Sequence, residues 1–321
     1  MQASVGKYKK KAIYFKLMEI MEVRSRVTEF SRLTLSELRE FHYQFEIAFA
    51  SAIKQAGKGS SDRAALVAEA YTILPSLLLE MRKRQNVNQL DSLGATIGTH
   101  KFLMRWFSKN ATRVLDVGCG TGYNVLNLLQ SGYDAYGIDV SESMILNGIK
   151  RAHELYNRDI SGHLFAANFI NWRPPKDLDL FDIVWTNDVI EHLPEDEAPD
   201  FLSKVLSLLK PKGNLVLITP NSLVGPSDAS GIKQPIGSRS RGLHLREYSL
   251  NELSTLLLDA GFTNLVSPIM SINKFGFDLK PKWIYWKIKI LIEPLFNFIP
   301  GRLRKYLMIR LQYSTLIAQK P

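Results

Sequence analysis

Residues 113–139, RVLDVGCGTGYNVLNLLQSGYDAYGID, decide how the rest of the chain is interpreted. The stretch begins with a short apolar strand, continues through a turn with three glycines within five residues, and ends after a second strand on Asp139. Glycines crowd a strand-to-helix turn where a ligand must approach the backbone more closely than a Cβ atom allows. An acid about 20 residues further on suits the paired hydroxyls of a ribose. The stretch therefore predicts a nucleoside-binding site.

Asp116 narrows the kind of nucleoside. It lies inside the first strand, just before the glycines, where a carboxylate would repel a pyrophosphate. The spacing G-C-G-T-G also differs from the G-x-G-x-x-G turn of dinucleotide-binding proteins. A negative charge at this position instead favours a cation, such as a sulfonium that carries an amino-acid ammonium group.

Outward from this stretch, the chain divides into two patterns. Residues 1–95 carry helical periodicity, with Ser36 and Asp62 as expected helix caps and Pro75 expected to kink or divide a helix. From residue 96, strands alternate with helices, which predicts crossover connections and a parallel sheet covered on both faces. We therefore expect a helical N-terminal extension, 1–95, and an α/β domain, 96–321, with an insertion at 275–312. The predicted elements include a helix at 99–108, a turn at 210–213 and strands at 113–117, 134–139, 162–167, 181–186, 214–219, 263–269 and 314–318.

Four sequence blocks carry a resemblance to a known family: VLDVGCGTG, GIDVSESMI, FDIVWTNDVIEHL and LLKPKGNLVLITPN. In this order and spacing they resemble the class I S-adenosylmethionine-dependent methyltransferases, most closely the group that acts on small molecules and on glycan or lipid precursors. The resemblance implies a Rossmann-like sheet of seven strands in the order 3-2-1-4-5-7-6, with the last strand antiparallel. It also implies that the chain is a transferase and that its cofactor is S-adenosylmethionine.

The resemblance also assigns a cofactor site. Asp116 is expected at the methionine moiety, Asp139 at both ribose hydroxyls, and Val140 and Met144 on the adenine. Asn168 stands where the family often has an acid for the adenine amino group, and an amide oxygen can accept that hydrogen bond too. The complete expected set is Asp116, Gly118, Cys119, Gly120, Gly122, Asp139, Val140, Met144, Asn168, Phe169 and Asn187.

Two histidines are the expected catalytic residues. A sulfonium is already activated, so the enzyme mainly aligns the reacting atoms, and a hydroxyl acceptor needs a base. His192 follows the fourth strand, and His244 lies in the long loop 221–246 beyond the fifth. The leading hypothesis is O-methylation of a small, sugar-linked or lipid-linked acceptor. Basic residues in the same loop suit an acceptor with phosphate or carboxylate: Lys233, Arg239, Arg241 and Arg246.

Two other functions stay open. Asp188, Glu191, His192 and His244 resemble the metal-binding set of small-RNA 2′-O-methyltransferases, whose Mg²⁺ contacts the ribose hydroxyls of a terminal nucleotide. Because the Glu-His pair also occurs in relatives without metal, the leading hypothesis includes no metal site. A cofactor-binding fold can also serve as a non-catalytic regulatory module.

Composition and charge complete the sequence-based picture. The single cysteine, Cys119, excludes an internal disulfide and fits a reducing, cytoplasmic compartment, and the start of the sequence lacks the apolar run of a signal peptide. The net charge of +10 is concentrated in residues 1–26 and 280–310. Such basic, aromatic-rich segments favour an anionic surface, a membrane more than a nucleic acid.

The insertion is interpreted as an amphipathic helix rather than a spanning one, because charged residues interrupt its apolar core. Its expected polar face holds Lys282, Lys289, Glu293 and Asn297, and its expected apolar face holds Trp283, Trp286, Ile290, Phe296 and Phe298. Either peripheral membrane contact through 280–310 or packing against the N-terminal helices is expected for the apolar face.

Overall fold

A twisted sheet organises the part of the chain that the structure describes, namely residues 27–85, 107, 112–270, 278–311, 313 and 315–321 of a computed structural model. Within it, the strands lie in the order β3-β2-β1-β4-β5-β8-β6-β7. Their bounds are β1 Arg113–Val117, β2 Asp134–Asp139, β3 Leu164–Ala166, β4 Phe181–Asn187, β5 Leu209–Ile218, β6 Thr263–Met270, β7 Asp278–Lys282 and β8 Thr315–Gln319.

The sheet confirms the expected topology and adds an edge strand. β1 to β5 pair in parallel, and the final strand β8 inserts antiparallel between β5 and β6. The expectation of seven strands is wrong, because eight are described, and the eighth, β7, pairs antiparallel with β6. β7 belongs to the insertion, where its sequence DLKPK lacks the alternating apolar pattern that marks a half-buried strand.

The described α-helices cover the sheet and extend it at the N-terminal side. They are α1 Leu35–Gln55, α2 Ser61–Arg84, α3 Tyr123–Gln130, α4 Glu142–Tyr156, α5 Ala198–Leu208, α6 Leu250–Asp259, α7 Trp283–Ile292 and α8 Gly301–Arg310. Val114 of β1 packs in one cluster with side chains of α3 and α4, and Leu115 packs in another with those of α5 and α6. Because successive strand residues point to opposite faces, both faces of β1 are buried.

The N-terminal helices differ in detail from the sequence-based expectations. Thr34, not Ser36, caps α1 in a capping box with Glu37, and Ser60, not Asp62, caps α2. α2 runs unbroken through Pro75. The expected helix at 99–108 falls almost entirely outside the described residues, as does the boundary between residues 95 and 96.

Contacts tie these helices to the α/β part of the chain. A third apolar cluster joins α1 and α2 to Leu243 and Leu245 of the loop 221–246. The buried Arg63 of α2 donates to Asp196 and Glu197 at the start of α5, at 2.9 Å and 2.7 Å. The N-terminal helices therefore reach the loop that follows β5.

By length and composition alone, α2 is the one described helix that could cross a membrane, a test that core helices of soluble proteins also pass.

The turn expected at 210–213 lies within β5, where Lys212 takes a positive φ of 61° and the pairing with β4 shifts register. Residues 210–213 therefore bulge out between Leu209 and Asn214, which both pair with β4.

Candidate functional site

A cleft lies at the carboxyl ends of β1, β2 and β4, where ligands bind in open α/β sheets. Its cavity volume is about 170 Å³. The lining comes from the glycine turn, the segments after β2, β3 and β4, and helix α2: Val67, Tyr71, Val117, Gly118, Ile138, Asp139, Val140, Ala167, Asn168, Phe169, Ile170, Asp188, Val189, His192, Leu193 and Phe201. A larger cavity of about 350 Å³ lies between α3 and α4, away from the strand ends, and carries none of the predicted acids or histidines.

The glycine turn and Asp139 are joined by hydrogen bonds. Gly120 N donates to Asp139 Oδ2 and Ser141 N donates to Oδ1, each at 2.8 Å. These bonds fix the carboxylate at the end of β2 and leave its remaining lone pairs for a ligand's paired hydroxyls. Gly118 has a φ of +74°, and an added Cβ would lie 2.4 Å from Val189 Cγ2. No other residue therefore fits at Gly118 without displacing the segment after β4.

Asp116 provides a test of whether a cationic cofactor fits. The residue is only 2% exposed, and its Oδ2 has no hydrogen-bond partner within the described residues. Burial, with the charge of Asp139 adding to it, raises the pKa of Asp116 to about 7. A buried carboxylate with an unpaired oxygen is costly unless a positive group arrives. The site therefore fits the ammonium and sulfonium groups of S-adenosylmethionine.

The other expected cofactor residues fall into two groups. Val140, Asn168 and Phe169 line the cleft together with Gly118 and Asp139. The remaining expected residues shape the turn or flank the cleft instead of lining it: Asp116, Cys119, Gly120, Gly122, Met144 and Asn187. The direct contact of these six with a cofactor stays a prediction.

Several residues of the second group are packed closely against neighbouring side chains. Met144 Cε would lie 3.1 Å from a Cβ added to Gly120, and a Cβ on Gly122 would lie 2.7 Å from Leu164. The Cys119 side chain is buried against Gly137, and burial raises the pKa of its thiol well above the ordinary value. Cys119 is therefore a neutral packing residue.

Asp188, rather than Asn187, lines the cleft after β4. Asn187 Nδ2 donates to Asp188 Oδ2 at 2.8 Å, so the amide supports the carboxylate. Asp188 has a φ of 55°, an unusual conformation for a residue other than glycine, and its N–H donates to Ile218 O at 3.0 Å. Backbone strain of this kind concentrates at functional sites. Burial raises the pKa of Asp188.

The two expected catalytic histidines come together. Their ring centroids are 4.7 Å apart in an edge-to-face arrangement. His192 Nδ1 donates to Leu243 O at 3.0 Å, and His244 Nδ1 donates to Glu247 Oε1 at 2.7 Å. Because each Nδ1 carries its proton to an acceptor, Nε2 is left as the second functional atom of each ring. Only His192 lines the cleft.

The same surroundings give the two rings different charge states. Burial, reinforced by the positive charge of His244, lowers the pKa of His192 to about 3. Burial also opposes the charging of His244, but its bond to Glu247 and the charges of Glu191 and Glu247 raise its pKa to about 9. Near neutral pH, His192 is therefore a neutral acceptor at Nε2 and His244 is an imidazolium.

Glu191 completes a group of possible metal ligands. Its Oε2 accepts from Thr219 Oγ1 at 2.9 Å, while its Oε1 has no partner among the described residues. Burial, and next the charge of Asp188, raise the pKa of Glu191 to about 8. One ligand atom each from Glu191, His192 and His244 lies within 4.8 Å of the others. This group is suitable for a divalent cation.

Tyr71 is a site residue that the sequence-based interpretation missed. It projects from α2 into the cleft, and its ring lies edge-on to that of His192, with centroids 5.4 Å apart. Its hydroxyl is buried without a hydrogen-bond partner in the described chain, and burial raises its pKa well above the ordinary value. It is therefore a neutral donor. A tyrosine in a helical segment looks like any other apolar-face residue, so only the fold reveals its position.

Glu46 of α1 was also missed, and it supports His192 from behind. Its Oε2 accepts from Ala229 N at 3.0 Å and Leu243 N at 3.3 Å, and its Oε1 bonds to His42 Nε2 at 2.8 Å. Leu243 thus binds Glu46 through its N–H and His192 through its carbonyl. The first helix therefore helps to position the imidazole in the cleft.

Comparisons with known proteins agree with this geometry. The family model for the methyltransferase domain matches residues 77–267. A thiocyanate methyltransferase of Brassica oleracea is 25% identical over 150 residues, 43% of this chain and 63% of that protein. A small RNA 2′-O-methyltransferase of Arabidopsis thaliana is 33% identical over 119 residues, 35% of this chain and 12% of that protein. A ubiquinone biosynthesis O-methyltransferase of Coxiella burnetii is 29% identical over 121 residues, 38% of this chain and 49% of that protein.

The chain thus spans less than two thirds of the length of these relatives. A solved magnesium protoporphyrin IX methyltransferase from Synechocystis, with bound S-adenosylhomocysteine, is 16% identical and covers 89% of this chain and 99% of its own, with a TM-score of 0.44. The relatives differ in the acceptors for which they are named. The matched model spans more than half of the chain, so the chain belongs to the methyltransferase domain family and contains an S-adenosylmethionine-dependent methyltransferase domain.

Proposed function

We propose that this enzyme methylates a hydroxyl group of a small, sugar-linked or lipid-linked acceptor, and that His192 receives the hydroxyl proton. The observation that carries the proposal is the fixed tautomer of His192. Its Nδ1 proton is bonded to Leu243 O, and the ring lines the same cleft as Gly118 and Asp139. An unprotonated Nε2 beside the cofactor site suits an acceptor that must lose a proton.

The chain's own residues would divide the work. Asp139 and Asp116 bind and orient the donor, which supplies an electrophilic methyl group when bound. His192 Nε2 accepts the hydroxyl proton as the new C–O bond forms. A pKa of about 3 makes His192 a weak base, but the oxygen becomes strongly acidic during methylation, so a weak base that stays neutral is sufficient. Tyr71, whose ring contacts that of His192, can donate a hydrogen bond to the acceptor.

The acceptor class rests on the loop 221–246 and on the relatives. Arg239 and Arg241 are exposed there, whereas Lys233 pairs with Glu40 and Arg246 pairs with Glu252. Two cations with no ion pair within the described chain favour an acceptor with one anionic group over a polyanion such as RNA. The ubiquinone biosynthesis relative is named for O-methylation, which agrees with a histidine base. The buried thiol of Cys119 is consistent with the expected cytoplasmic location.

The test is to identify the product. The enzyme would be incubated with methyl-deuterated S-adenosylmethionine and fractionated small-molecule and lipid extracts, and labelled products would be resolved by mass spectrometry and NMR. We expect the label on an oxygen atom. An Asp139→Ala enzyme, which is expected to bind the donor poorly, provides the background. Label found on sulfur or nitrogen would contradict the proposal.

A second candidate is metal-dependent methylation of an RNA 3′-terminal 2′-hydroxyl. The convergence of Glu191, His192 and His244 favours it, and the small-RNA relative is 33% identical over 119 residues. Asp188 also lines the cleft, outside this group of three. A divalent cation would supply Lewis-acid activation of the hydroxyl. It would also have to displace protons, because pKa values of about 8 for Glu191 and about 9 for His244 keep both groups protonated near neutral pH.

Metal binding can be separated from activity. Calorimetric titration with Mn²⁺ or Mg²⁺ in buffers of different ionisation enthalpy would measure both affinity and released protons. The second candidate would be favoured if metal binding releases protons and is lost in Glu191→Gln. In that case, a chelator should also abolish methyl transfer. No heat of binding and full transfer in chelator would favour the first.

A further inference from the structure

The insertion between β6 and β8 folds with two of its charged residues inside the protein. The expected polar face, with Lys289 and Glu293, points into the protein: the two residues are 2% and 4% exposed. Trp286 and Phe296, from the expected apolar face, are buried as well. The two expected faces therefore do not separate buried from exposed residues, because the inward side of the insertion also binds polar groups of the neighbouring elements.

Hydrogen bonds hold the insertion firmly in this orientation. Lys289 Nζ donates to Ser267 Oγ at 2.8 Å and Pro268 O at 2.6 Å on β6. Glu293 accepts from Asn221 Nδ2 and from the first N–H groups of α6, at 2.7 Å to 3.0 Å. Trp286 Nε1 donates to Ser254 Oγ at 2.8 Å. Buried polar groups that are hydrogen-bonded in this way fix one orientation of the helix, since turning it outward would leave the partners unsatisfied.

The outward side is strongly apolar as a result. Of the 16 large hydrophobic side chains exposed in the described chain, nine lie between Trp283 and Ile309. Phe298 is 85% exposed, Leu291 77% and Trp283 61%. Isolated exposed hydrophobic residues are ordinary, but a concentration within one short segment marks a contact surface. We call the exposed side chains of residues 282–310 the insertion surface.

The insertion surface is also positively charged. Lys282, Lys287, Arg302, Lys305 and Arg310 are exposed on it. The sequence from 282 to 310 contains one acid, Glu293, and that residue is buried. Cationic groups lie over aromatic rings here, with Lys287 Nζ 4.4 Å from the Trp286 ring centroid. Basic side chains among exposed Trp, Phe and Leu are the composition of helices that lie in the interface of an anionic bilayer.

We propose that the insertion surface docks this enzyme on the surface of an anionic lipid bilayer. Its apolar side chains enter the boundary between headgroups and acyl chains, and its lysines and arginines contact the anionic headgroups. A second protein copy would meet the same positive charge on both sides, so like-charge repulsion disfavours self-association through this surface. The proposal goes beyond the methylated acceptor, because it holds whether that acceptor is lipid-linked or not.

Vesicle flotation of the full chain tests the proposal. We expect the enzyme to float with vesicles of equimolar phosphatidylcholine and phosphatidylglycerol, less with phosphatidylcholine alone, and less at high salt. In a Leu291→Gln, Phe298→Gln variant, binding should fall by about tenfold or more, because two large apolar side chains are lost. A Lys287→Gln, Lys305→Gln variant should lose mainly the preference for anionic vesicles.

A matched control distinguishes binding through the insertion surface from nonspecific hydrophobic adsorption to vesicles. A Leu146→Gln, Leu155→Gln variant removes side chains of similar exposure, 59% and 62%, from α4 and should float like the wild type. Equal flotation of the Leu291, Phe298 variant and the wild type would overturn the proposal, as would the absence of wild-type binding. The proposal would also be overturned if the Leu291→Gln, Phe298→Gln variant melts several degrees lower than the wild type without lipid, or if it turns a dimer into a monomer. Either result would show that protein, and not lipid, covers the insertion surface.

Discussion

The two walls of the cleft are built in different ways. Most of the proposed cofactor wall comes from one continuous stretch, in which the glycine turn donates from Gly120 N to Asp139 at the end of the next strand. The acceptor wall is assembled from distant segments: Tyr71 from α2, His192 from the segment after β4, and Leu243 from the loop that Glu46 of α1 holds. The difference teaches that donor binding is a local property of the sequence, whereas acceptor selection depends on the whole fold.

The largest expected effect is on the cofactor wall. Replacing Asp139 with alanine removes two charge-assisted hydrogen bonds to a ribose, each contributing about 1.5 kcal/mol, so S-adenosylhomocysteine should bind about 100-fold more weakly. Isothermal titration calorimetry measures the affinity. Asp134→Ala changes an acid at the start of the same strand, which pairs with Arg113, and should bind normally. Unchanged affinity in Asp139→Ala would remove the ribose assignment.

Glu46→Ala should weaken the acceptor wall from behind. It leaves Ala229 N and Leu243 N without their buried acceptor, so the free energy of unfolding should fall by roughly 2 kcal/mol. Methyl transfer should slow because Leu243 O no longer fixes His192, while S-adenosylhomocysteine affinity stays within about threefold. Urea unfolding, calorimetry and transfer rates give the three readouts. Glu46→Gln keeps an acceptor oxygen and should restore most of the rate; failure to do so would argue against the positioning role.

Asp116 should make donor binding depend on pH. Its pKa is about 7 in the free protein, and a cationic ligand lowers it, so binding below pH 7 requires release of a proton. Affinity should therefore fall by up to about tenfold for each pH unit below 7 and stay level above it. Titrations in two buffers of different ionisation enthalpy measure the released proton. The difference between the wild type and Asp116→Asn isolates this group, and identical profiles would contradict the assignment.

Tyr71→Phe should have the smallest effect and the most selective one. The variant removes a buried hydroxyl that has no partner in the described structure, so the free energy of unfolding should stay equal or rise slightly. Transfer should fall roughly fivefold if the hydroxyl bonds the acceptor, with S-adenosylhomocysteine affinity unchanged. Tyr43→Phe on α1, whose ring lies under Lys233, is the matched control. An unchanged transfer rate would restrict Tyr71 to packing.

The cofactor wall could be predicted from the sequence better than the acceptor wall, because its residues lie close together along the chain. Asp116, Gly118 and Asp139 could be assigned because strand, turn and next strand are consecutive, so spacing alone brings them together. His192 and His244 could be proposed as catalytic residues, but their different charge states depend on burial and on Glu247, which no sequence spacing reveals. Tyr71 and Glu46 carry no sequence signal, since a helical pattern records which face is buried and not what it meets.

In the insertion, the sequence pattern grouped the residues correctly but did not reveal which side faces the protein. Periodicity correctly grouped Lys289 and Glu293 on one helical face, and charged residues ordinarily prefer water to the protein interior. Partners on β6 and α6 reverse the orientation, because they satisfy both charges inside the protein. Strand β7 escaped prediction for a related reason: it is an edge strand whose pairing with β6 is supplied by the fold and not by its own apolar pattern.

The separation of the two walls is tested most directly by His192→Gln, measured for donor affinity and for methyl transfer on the same preparation. We predict an S-adenosylhomocysteine affinity within about threefold of the wild type and a transfer rate lower by about 100-fold or more, the range for a lost general base. His153→Gln on the exposed side of α4 should leave both values unchanged. A His192→Gln enzyme that transfers at the wild-type rate, or that loses donor affinity in proportion to its rate, would contradict the account.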